Sequence, residues 1–397
     1  MQLVVIAGPN TGSRLTLDDG HTFVIGRRKN AHLQLDDPHV SRTQCQLRVD
    51  GGLVEVTDLG STGGTFINDR RVAAHDLSPG EVIVVGDTRI RFDFETDSAA
   101  DTVPPPRQRA ALEADALPSL VGETLHRYEV KAVIAMATTG MVFKCFDPES
   151  GDDIALKVLW PERISSHNDI QRFIRAMRTM YPLCHPNIVA IRNAGHTGDL
   201  WWVAMDYVEG RNLAEVIEQS DSSGTADWKV AWRVAVEIGQ ALEVAHEHGI
   251  VHRNITPRNI LIRSGSQVAL LGDLMLAKAC EGVGSQHITR PGQIVGDLAW
   301  MAPERTLAAG DIDTRCDLYS LGATLYAMVT GCPPFEANHV DKLLDLVREQ
   351  PPNSIRDFVQ GVDPTFESII LRLLNKHPSD RYENPTELIA ALRRIEM

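Results

Sequence analysis

Short runs of alternating apolar and polar residues fill positions 1–95 of the chain. They read LVVIA, HTFVIG, CQLRV, LVEVTD, EVIVVG and RIRFDF, and Gly, Asn, Asp and Pro separate them at short intervals. Successive side chains of a strand point to opposite faces, so a period of two predicts strands with one buried face. The pattern therefore predicts an all-β sandwich over residues 1–95.

The periodicity ends where the sandwich pattern ends. Residues 96–122 begin with TDSAADTVPPPRQRAALEADA, which is acidic and rich in Ala and Pro and has neither a strand nor a helix period. A proline triplet favours an extended spacer. We expect a linker over 96–122.

Strand patterns return after the linker and give way to helical ones. YEVKAVI, MVFKCF, IALKVL and WWVAMDYV are strand-like, and WKVAWRVAVEIGQALEVAHEHG then has Val234, Ile238 and Leu242 at helical spacing. A strand-rich segment followed by a helix-rich one predicts a two-lobed α+β domain. This domain should cover residues 123–397.

Composition and charge narrow the possible functions. A chain of 397 residues with 43% apolar and 23% charged residues is typical of a globular protein with two or three domains. The net charge of −14 argues against nucleic-acid binding, which needs clustered Lys and Arg. The first residues, MQLVVIAGPN, have no basic residue ahead of their short apolar run and predict a strand, not a signal peptide. No run is long enough for a membrane span, and the six cysteines are scattered, so we expect reduced thiols and a cytoplasmic protein.

Candidate chemistry in the first domain lies in VIGRRKNAHLQLDDPHVSRTQCQLRV and VTDLGSTGGTFIN. The G-R, S-R and DLGSTGGTF elements at these separations resemble the forkhead-associated (FHA) domain, a reader of phosphothreonine peptides. The resemblance implies that the phosphate is bound by Arg27, Ser41, Arg42 and Thr62. Such a site needs convergent hydroxyl and charged donors, and Arg offers a planar fork. The expected partner is a threonine-phosphorylated protein or peptide supplied by a partner kinase.

Two positions of the first domain depart from the FHA pattern. The Asn that holds the ligand backbone in the family is Gly63, and the scaffold His three places after the Ser is Gln44. Gly63 lacks an amide that can both donate and accept, whereas Gln44 can replace some structural hydrogen bonds. Either the domain retains phosphate binding with weakened peptide selectivity, or it has kept its shape and lost its ligand.

The stretch HRNITPRNI, residues 252–260, carries the candidate chemistry of the second domain. Together with six further segments between YEVKAVIAMATTGMVFK and HPSDRY, it resembles bacterial serine/threonine protein kinases. In that family the loop reads H-R-D-x-K-x-x-N; its Asp accepts the proton of the attacking hydroxyl and its Asn holds Mg²⁺. Here the Asp is Asn254 and the Lys is Thr256, while Asn259 matches. An amide has no useful basicity, so the general base is lost.

The nucleotide-binding positions are also altered. The glycines that lie against phosphates in the family fall on Ala135, Ala137 and Gly140, and a Cβ obstructs that approach. IALK retains the strand lysine, Lys157, but the helix Glu that should pair with it is Ala176. We therefore expect Lys157 to lack an ionic partner, and to be either a phosphate ligand or a lysine that extends from its strand to solvent.

The metal-binding motif is changed in its third residue. It reads Asp273-Leu274-Met275, so Asp273 and Asn259 could still hold Mg²⁺, and weak ATP and Mg²⁺ binding is possible. Met275 replaces a flexible glycine and should fix one state of the motif.

Residues that build the kinase fold are retained. By resemblance, Asp317 in CDLYSLG should bond to the backbone of the catalytic loop, and Glu304 of MAPE should form a buried ion pair with Arg381 of SDRY. His252 and Leu274 should fill a hydrophobic column between the lobes.

Two functions therefore stay open. One is an FHA phosphothreonine reader joined to a catalytically degraded kinase domain, a pseudokinase that acts as a scaffold or regulator. The alternative is a low-activity, ATP-dependent serine/threonine kinase that uses Lys157, Asn259 and Asp273. Thr102 and Thr289 are candidate phosphorylation sites within the chain.

Overall fold

The computed structural model describes residues 1–18, 20–50, 53–67, 70–77, 81–93, 114–137, 139–161, 164, 167–219, 227–274, 298–307 and 313–395. They form two compact units. The larger comprises Glu113–Ser165 and Arg172–Met397, and the smaller contains the N-terminal strands.

The smaller unit is a sandwich of two β-sheets, as predicted. Its described strands are β1 (Gln2–Ala7), β2 (Arg14–Thr16), β3 (Thr22–Gly26), β4 (Leu33–Gln34), β5 (Cys45–Asp50), β6 (Leu53–Asp58), β7 (Thr65–Ile67), β8 (Arg70–Val72), β9 (Ala74–Leu77), β10 (Val82–Val85) and β11 (Thr88–Asp93). One sheet has the order β2-β1-β11-β10-β7-β8 and the other β4-β3-β5-β6-β9. The two sheets share one core, to which Leu3, Ile25, Leu47, Val56 and Ile90 contribute fully buried side chains.

The six predicted runs correspond to β1, β3, β5, β6, β10 and β11. The sequence missed β2, β4, β7, β8 and β9, which have two to four residues each. A strand this short has no alternation to recognise, and its pairing depends on neighbours that are distant in sequence.

The larger unit begins with a six-stranded antiparallel sheet of order β12-β13-β14-β15-β17-β16. These strands are β12 (Thr124–Leu125), β13 (Tyr128–Ala137), β14 (Gly140–Asp147), β15 (Asp152–Leu159), β16 (Ile191–Thr197) and β17 (Leu200–Asp206), and helix α1 (His167–Met180) lies in sequence between β15 and β16. A second sheet pairs β18 (Gly210–Asn212), β19 (Ile260–Arg263) and β20 (Ala269–Leu271). The four predicted strands are thus present.

The rest of the described larger unit is mainly helical. Its α-helices are α2 (Leu213–Gln219), α3 (Trp228–Glu247), α4 (Arg315–Thr330), α5 (Val340–Glu349), α6 (Pro364–Leu373) and α7 (Pro385–Leu392). The Asp227 side chain accepts a hydrogen bond from the Lys229 N–H and caps α3. The apolar face of α3, with Val234, Ile238 and Leu242, packs into the same core as α4 and α6. The predicted two-lobed α+β fold is therefore correct.

Part of the predicted linker is ordered. Residues Ala114–Leu120 form a 3₁₀-helix in which Leu117 and Leu120 are buried, although the sequence analysis placed them in a spacer. Two leucines three positions apart lie on the same side of a 3₁₀-helix, a spacing too short to recognise beside the prolines. The domain limits 1–95, 96–122 and 123–397 stay predictions.

Thr102, Met275 and Thr289 lie outside the described residues. Within the described part of the chain, no helix is both long and apolar enough to cross a membrane.

Candidate functional site

Ser41 joins two loops of the sandwich. Its hydroxyl oxygen accepts a hydrogen bond from the Thr62 N–H at 3.0 Å, and its carbonyl accepts one from the Arg27 N–H at 3.0 Å. Arg27 follows β3, Ser41 precedes β5, and Thr62 lies between β6 and β7. The Nε of Arg27 also donates to the Val40 carbonyl at 3.3 Å, which orients its guanidinium. Three of the predicted phosphate-binding residues therefore meet at one end of the sandwich.

Arg42 reaches the same place because Gly26 permits a close approach. The Arg28 N–H donates to the Arg42 carbonyl at 3.1 Å, while a Cβ at Gly26 would lie only 2.4 Å from that oxygen. The Gly of the G-R pair is therefore required sterically. The Arg42 side chain is exposed, as are those of Arg27 and Thr62. Exposed donors around a buried frame suit a ligand that arrives from solvent.

Gln44 performs the connecting role that its position suggested. It is 1% exposed, accepts from the Ser41 N–H through Oε1 at 2.9 Å, and donates through Nε2 to the Gly64 carbonyl at 2.9 Å. Both ends of the amide are satisfied, which is what a buried amide requires. Gln44 thereby fixes the loop of Ser41 relative to that of Thr62.

Asp58 shapes the loop that contains Thr62 and is not among the residues predicted from the sequence. Its carboxylate accepts from the Gly60 and Ser61 N–H groups at 2.9 Å each and from the Thr65 hydroxyl at 2.7 Å. Burial alone would raise the pKa of Asp58, but these hydrogen bonds outweigh burial and lower it. The signal was present in DLGS, because Asp followed by Gly and Ser is typical of a side chain that caps a turn.

Gly63 is exposed, and the space beside it is open. Among the described residues, a Cβ built there would meet only the His39 carbonyl oxygen, at 3.6 Å, an ordinary van der Waals distance. The backbone at Gly63 therefore has room for the Asn that FHA domains carry at this position. Glycine is not required there sterically, so its presence changes the groups available to a ligand.

In the larger unit, Asp317 holds the loop that begins at His252. The carboxylate, at the start of α4, is 0% exposed and accepts from the N–H groups of His252 and Arg253 at 2.7 Å each and from His246 Nε2 at 2.9 Å. Burial would raise the pKa of Asp317, but its hydrogen bonds and the adjacent histidines lower it. Arg253 has φ of 62°, an unfavourable left-handed conformation that its bond to Asp317 stabilises.

Asn254 occupies a loop whose backbone is fully organised. Its N–H donates to His252 Nδ1 at 3.2 Å, and its carbonyl accepts from Asn259 Nδ2 at 2.7 Å. The other ring nitrogen of His252, Nε2, donates to the Gly272 carbonyl at 2.9 Å. Within the described residues, the side-chain amide of Asn254 has no hydrogen-bond partner. These hydrogen bonds hold the backbone of the loop, but the amide of Asn254 cannot accept a proton.

Lys157 has an ionic partner, contrary to the expectation from Ala176. It is 2% exposed in β15, and its Nζ forms an ion pair with Oδ1 of Asp273. Ala176 is buried on α1, so Asp273 supplies the carboxylate that a buried ammonium requires. The alternative in which Lys157 extends to solvent is wrong. The sequence could not reveal the pair because the two residues are 116 positions apart.

Asn259 and Asp273 lie next to each other. The Gly272 N–H donates to the Asn259 carbonyl at 2.8 Å, which links the two segments. Since the Nδ2 of Asn259 is used by Asn254, its Oδ1 is the atom left to bind a ligand. This oxygen and the Asp273 carboxylate are the hard ligands that Mg²⁺ prefers. The donor set fits a magnesium ion.

Hydrogen bonds join the described residues of the hairpin that should cover the phosphates. Ala137 pairs with Gly140, and Trp160 donates to this hairpin twice, through its N–H to the Thr139 carbonyl at 3.0 Å and through Nε1 to the Ala137 carbonyl at 3.1 Å. Ala135 continues strand β13. A Cβ at Gly140 would lie 2.2 Å from the Val158 carbonyl, so this glycine is needed for strand packing whether or not phosphate binds.

Glu304 and Arg381 form a buried, bidentate ion pair with distances of 2.7 and 2.8 Å. Next to it, the Arg305 guanidinium donates to the Arg253 carbonyl and so contacts the catalytic loop. Burial lowers the pKa of Arg305. Arg305 is not among the residues predicted from the sequence, and only its place after MAPE could have suggested it.

Comparisons with known proteins agree with this architecture. Residues 128–391 match the protein kinase domain, and residues 23–86 match the FHA domain. The chain is 32% identical over 276 residues to the serine/threonine-protein kinase PknB of Mycobacterium tuberculosis, which covers 68% of this chain and 43% of PknB. It is 30% identical over 277 residues to the probable serine/threonine-protein kinase PknB of Corynebacterium glutamicum, and this match covers 68% of this chain and 42% of that protein. The chain therefore spans less than half of these relatives.

Two solved structures resemble parts or all of the chain. The kinase domain of PknI from Mycobacterium tuberculosis is 25% identical with a TM-score of 0.55 and covers 69% of this chain and 98% of that one. A crystal structure of Rad53 residues 1–466 in complex with AMP-PNP is 19% identical with a TM-score of 0.55 and covers 98% of both chains. At that identity the second likeness concerns the fold alone.

Proposed function

Because the chain belongs to the protein kinase family and carries an FHA domain, we propose that it is a phosphosignalling protein that binds threonine-phosphorylated partners. In this proposal the FHA domain reads the phosphothreonine. The kinase domain acts as a scaffold or regulator and does not transfer phosphate.

The arrangement of Arg27, Ser41, Arg42 and Thr62 supports phosphate binding. Each bond between a charged donor and a phosphate oxygen contributes about 1.5–3 kcal/mol. Hydrogen bonds of Gln44 already connect the two loops that carry these groups, which reduces the entropy lost on binding.

One observation supports an inactive kinase domain. Among the described residues, neither of the two carboxylates that lie next to the loop of Asn254 is free to replace the missing base. Asn254 is an amide. Asp317 is fully buried and accepts three hydrogen bonds, and Asp273 is paired with Lys157. A positioned base contributes about 10²–10⁴ in rate, so its loss alone leaves at most slow transfer. Thr256, in place of the loop Lys, removes a charge that would stabilise the transferring group.

Mg-ATP binding is compatible with the same residues. Asp273 and Asn259 would hold the metal, and Lys157 would face the phosphates of ATP. The bound ATP would supply the phosphoryl group for transfer. Ala135 and Ala137 oppose a close approach of the hairpin backbone. We therefore propose weak nucleotide binding.

The alternative, a low-activity ATP-dependent serine/threonine kinase, is favoured by one observation. Lys157, Asn259 and Asp273 are held together although the base is lost. A loose phosphoryl-transfer transition state places little charge on the hydroxyl, so transfer without a base is chemically reasonable. The relatives named as serine/threonine kinases fit this alternative at least as well.

One assay separates the two functions. Purified full-length chain is incubated with Mg-ATP labelled at the γ-phosphate, with and without a general protein substrate, and compared with Lys157→Met. We expect incorporation equal to that of the variant. Time-dependent incorporation that Lys157→Met abolishes would establish the kinase and overturn the scaffold.

A second assay tests the FHA domain separately. The full-length chain is titrated with phosphothreonine, phosphoserine and unmodified forms of one peptide library. We expect micromolar binding of the phosphothreonine form alone, lost in Arg27→Ala and Ser41→Ala. Binding that ignores the phosphate, or that both variants retain, contradicts phosphopeptide reading.

A further inference from the structure

The β7–β8 hairpin brings Arg71 against the loop that contains Thr62 and Gly63. In the β7–β8 ladder Arg71 is opposite Phe66, and its guanidinium lies over Gly64. A Cβ at Gly64 would be 2.7 Å from Nε and 3.2 Å from Cζ of Arg71. Gly64 also has φ of 82°, so glycine is favoured there for two reasons. Sequence reasoning missed Arg71, because only the tertiary fold places it beside Gly64.

The Arg71 guanidinium is open to a ligand. The residue is exposed, and no carboxylate or carbonyl within the described residues forms a hydrogen bond or ion pair with it. On the neighbouring side, Gly63 has no side chain, and in the part of the chain that the structure describes only the His39 carbonyl oxygen lies near its Cβ position. An incoming peptide can therefore reach the guanidinium without displacing a side chain at Gly63.

Arg71 is distinct in position from the basic residues of the phosphate site. Arg27 and Arg42 belong to the loops joined at Ser41. Arg71 follows Thr62 and Gly63 in sequence, and its guanidinium lies beside Gly64. Only Gly63 separates Thr62 from Gly64, and consecutive Cα atoms are about 3.8 Å apart. Because a Cβ at Gly64 would lie 3.2 Å from Cζ of Arg71, this cation is within roughly 12 Å of the Thr62 Cα. An extended peptide advances about 3.4 Å per residue, so this distance corresponds to roughly one to three peptide residues.

We propose that Arg71 selects phosphothreonine peptides with a second anionic group, a carboxylate side chain or a second phosphate, one to three residues from the phosphothreonine. The inference rests on the proposed function of the FHA domain and adds the class of peptide that it takes. In this proposal, an ionic contact from Arg71 in β8 replaces the contact of the amide that is missing at Gly63. Guanidinium groups suit this role because their planar fork binds carboxylate and phosphate with two parallel hydrogen bonds.

The test measures a ratio of affinities on the full-length chain. A fluorescent phosphothreonine peptide with alanine at the flanking positions is compared with peptides that carry one Glu, or one additional phosphothreonine, at each position from three residues before to three after. An exposed ion pair is worth up to about 1 kcal/mol, so the best Glu position should improve the affinity about two- to fivefold. The doubly charged phosphate should improve it more, and 0.5 M salt should reduce both gains.

Arg71→Ala is compared with Arg70→Ala as the matched control. Both residues are exposed neighbours in β8, but successive strand residues point to opposite faces, so Arg70 does not lie over Gly64. We expect the gain from the second anion to fall to about onefold in Arg71→Ala and to persist in Arg70→Ala. The affinity for the alanine-flanked phosphopeptide reports whether each variant is folded.

The outcomes separate this inference from the function on which it rests. Phosphothreonine-dependent binding with no gain from any second anion, or with a gain that Arg71→Ala retains, overturns the role of Arg71 alone. Loss of discrimination between phosphorylated and unmodified peptides in the wild-type chain overturns both. A gain from phosphate but not from Glu at the same position restricts the second anion to phosphate and supports the inference.

Discussion

Replacing Asp317 by Asn should destabilise the kinase domain while leaving the FHA domain intact. Oδ2 of Asp317 accepts from His246 and from the His252 N–H, and Oδ1 accepts from the Arg253 N–H. An Asn that keeps its oxygen towards the two histidines turns its NH₂ group towards the Arg253 N–H, so two donors face each other. A buried N–H left without an acceptor costs about 1–3 kcal/mol, and two charge-assisted bonds that become neutral lose about 1 kcal/mol each. The expected loss is about 3–5 kcal/mol.

Thermal unfolding followed by calorimetry measures this loss. For a domain of this size, 1 kcal/mol corresponds to about 2–4 °C, so the kinase transition should fall by about 6–20 °C. The transition of the FHA domain should not move. Asp199→Asn, at an exposed position, is the control and should stay within about 0.5 kcal/mol of wild type.

The pH dependence gives the prediction its sign. The folded pKa of Asp317 is below its ordinary value, so the stability it contributes is present above the unfolded pKa of about 4 and disappears as the pH falls through the folded pKa. The difference between wild type and Asp317→Asn should therefore be full at pH 7 and shrink below about pH 4. A variant that unfolds within 1 kcal/mol of wild type at pH 7, or a difference that grows on acidification, would refute the reasoning.

Three further predictions concern single residues. Gly63→Asn should raise the affinity for phosphothreonine peptide roughly tenfold, measured by fluorescence titration, since two neutral hydrogen bonds are worth about 1–3 kcal/mol before side-chain ordering; an unchanged affinity would show that the amide is not needed. Arg381→Met should cost about 3–5 kcal/mol in urea unfolding because Glu304 is left charged and buried, and the double variant with Glu304→Met should recover part of it; equal losses in both variants would contradict that cause. Asn254→Asp alone should not restore autophosphorylation, because the phosphate hairpin stays altered, and robust incorporation in this variant would refute that view.

Features that depend on neighbouring residues in the sequence could be predicted, whereas contacts between residues distant in the sequence could not. The six longer strands of the sandwich and helix α3 have internal periods, so they were recognised from local pattern. Gln44 was placed correctly as a structural substitute because its position within a motif defined the groups around it. The contacts of Arg71 with Gly64 and of Arg305 with Arg253 were missed because pattern contains no information on side chains brought together by tertiary pairing.

The pair formed by Lys157 and Asp273 shows how one substitution changes the meaning of residues that did not change. With Ala176 in place of the helix carboxylate, Asp273 is the anion that neutralises a lysine buried to 2% exposure. A magnesium ion at Asp273 would therefore compete with Lys157 for this carboxylate. Phosphates that bind Lys157 would remove that competition. Both charges change partners together, so metal and nucleotide should bind cooperatively, and either alone should bind poorly. Lys157 and Asp273 thus stabilise each other when no ligand is bound, and a ligand that binds both must replace this contact.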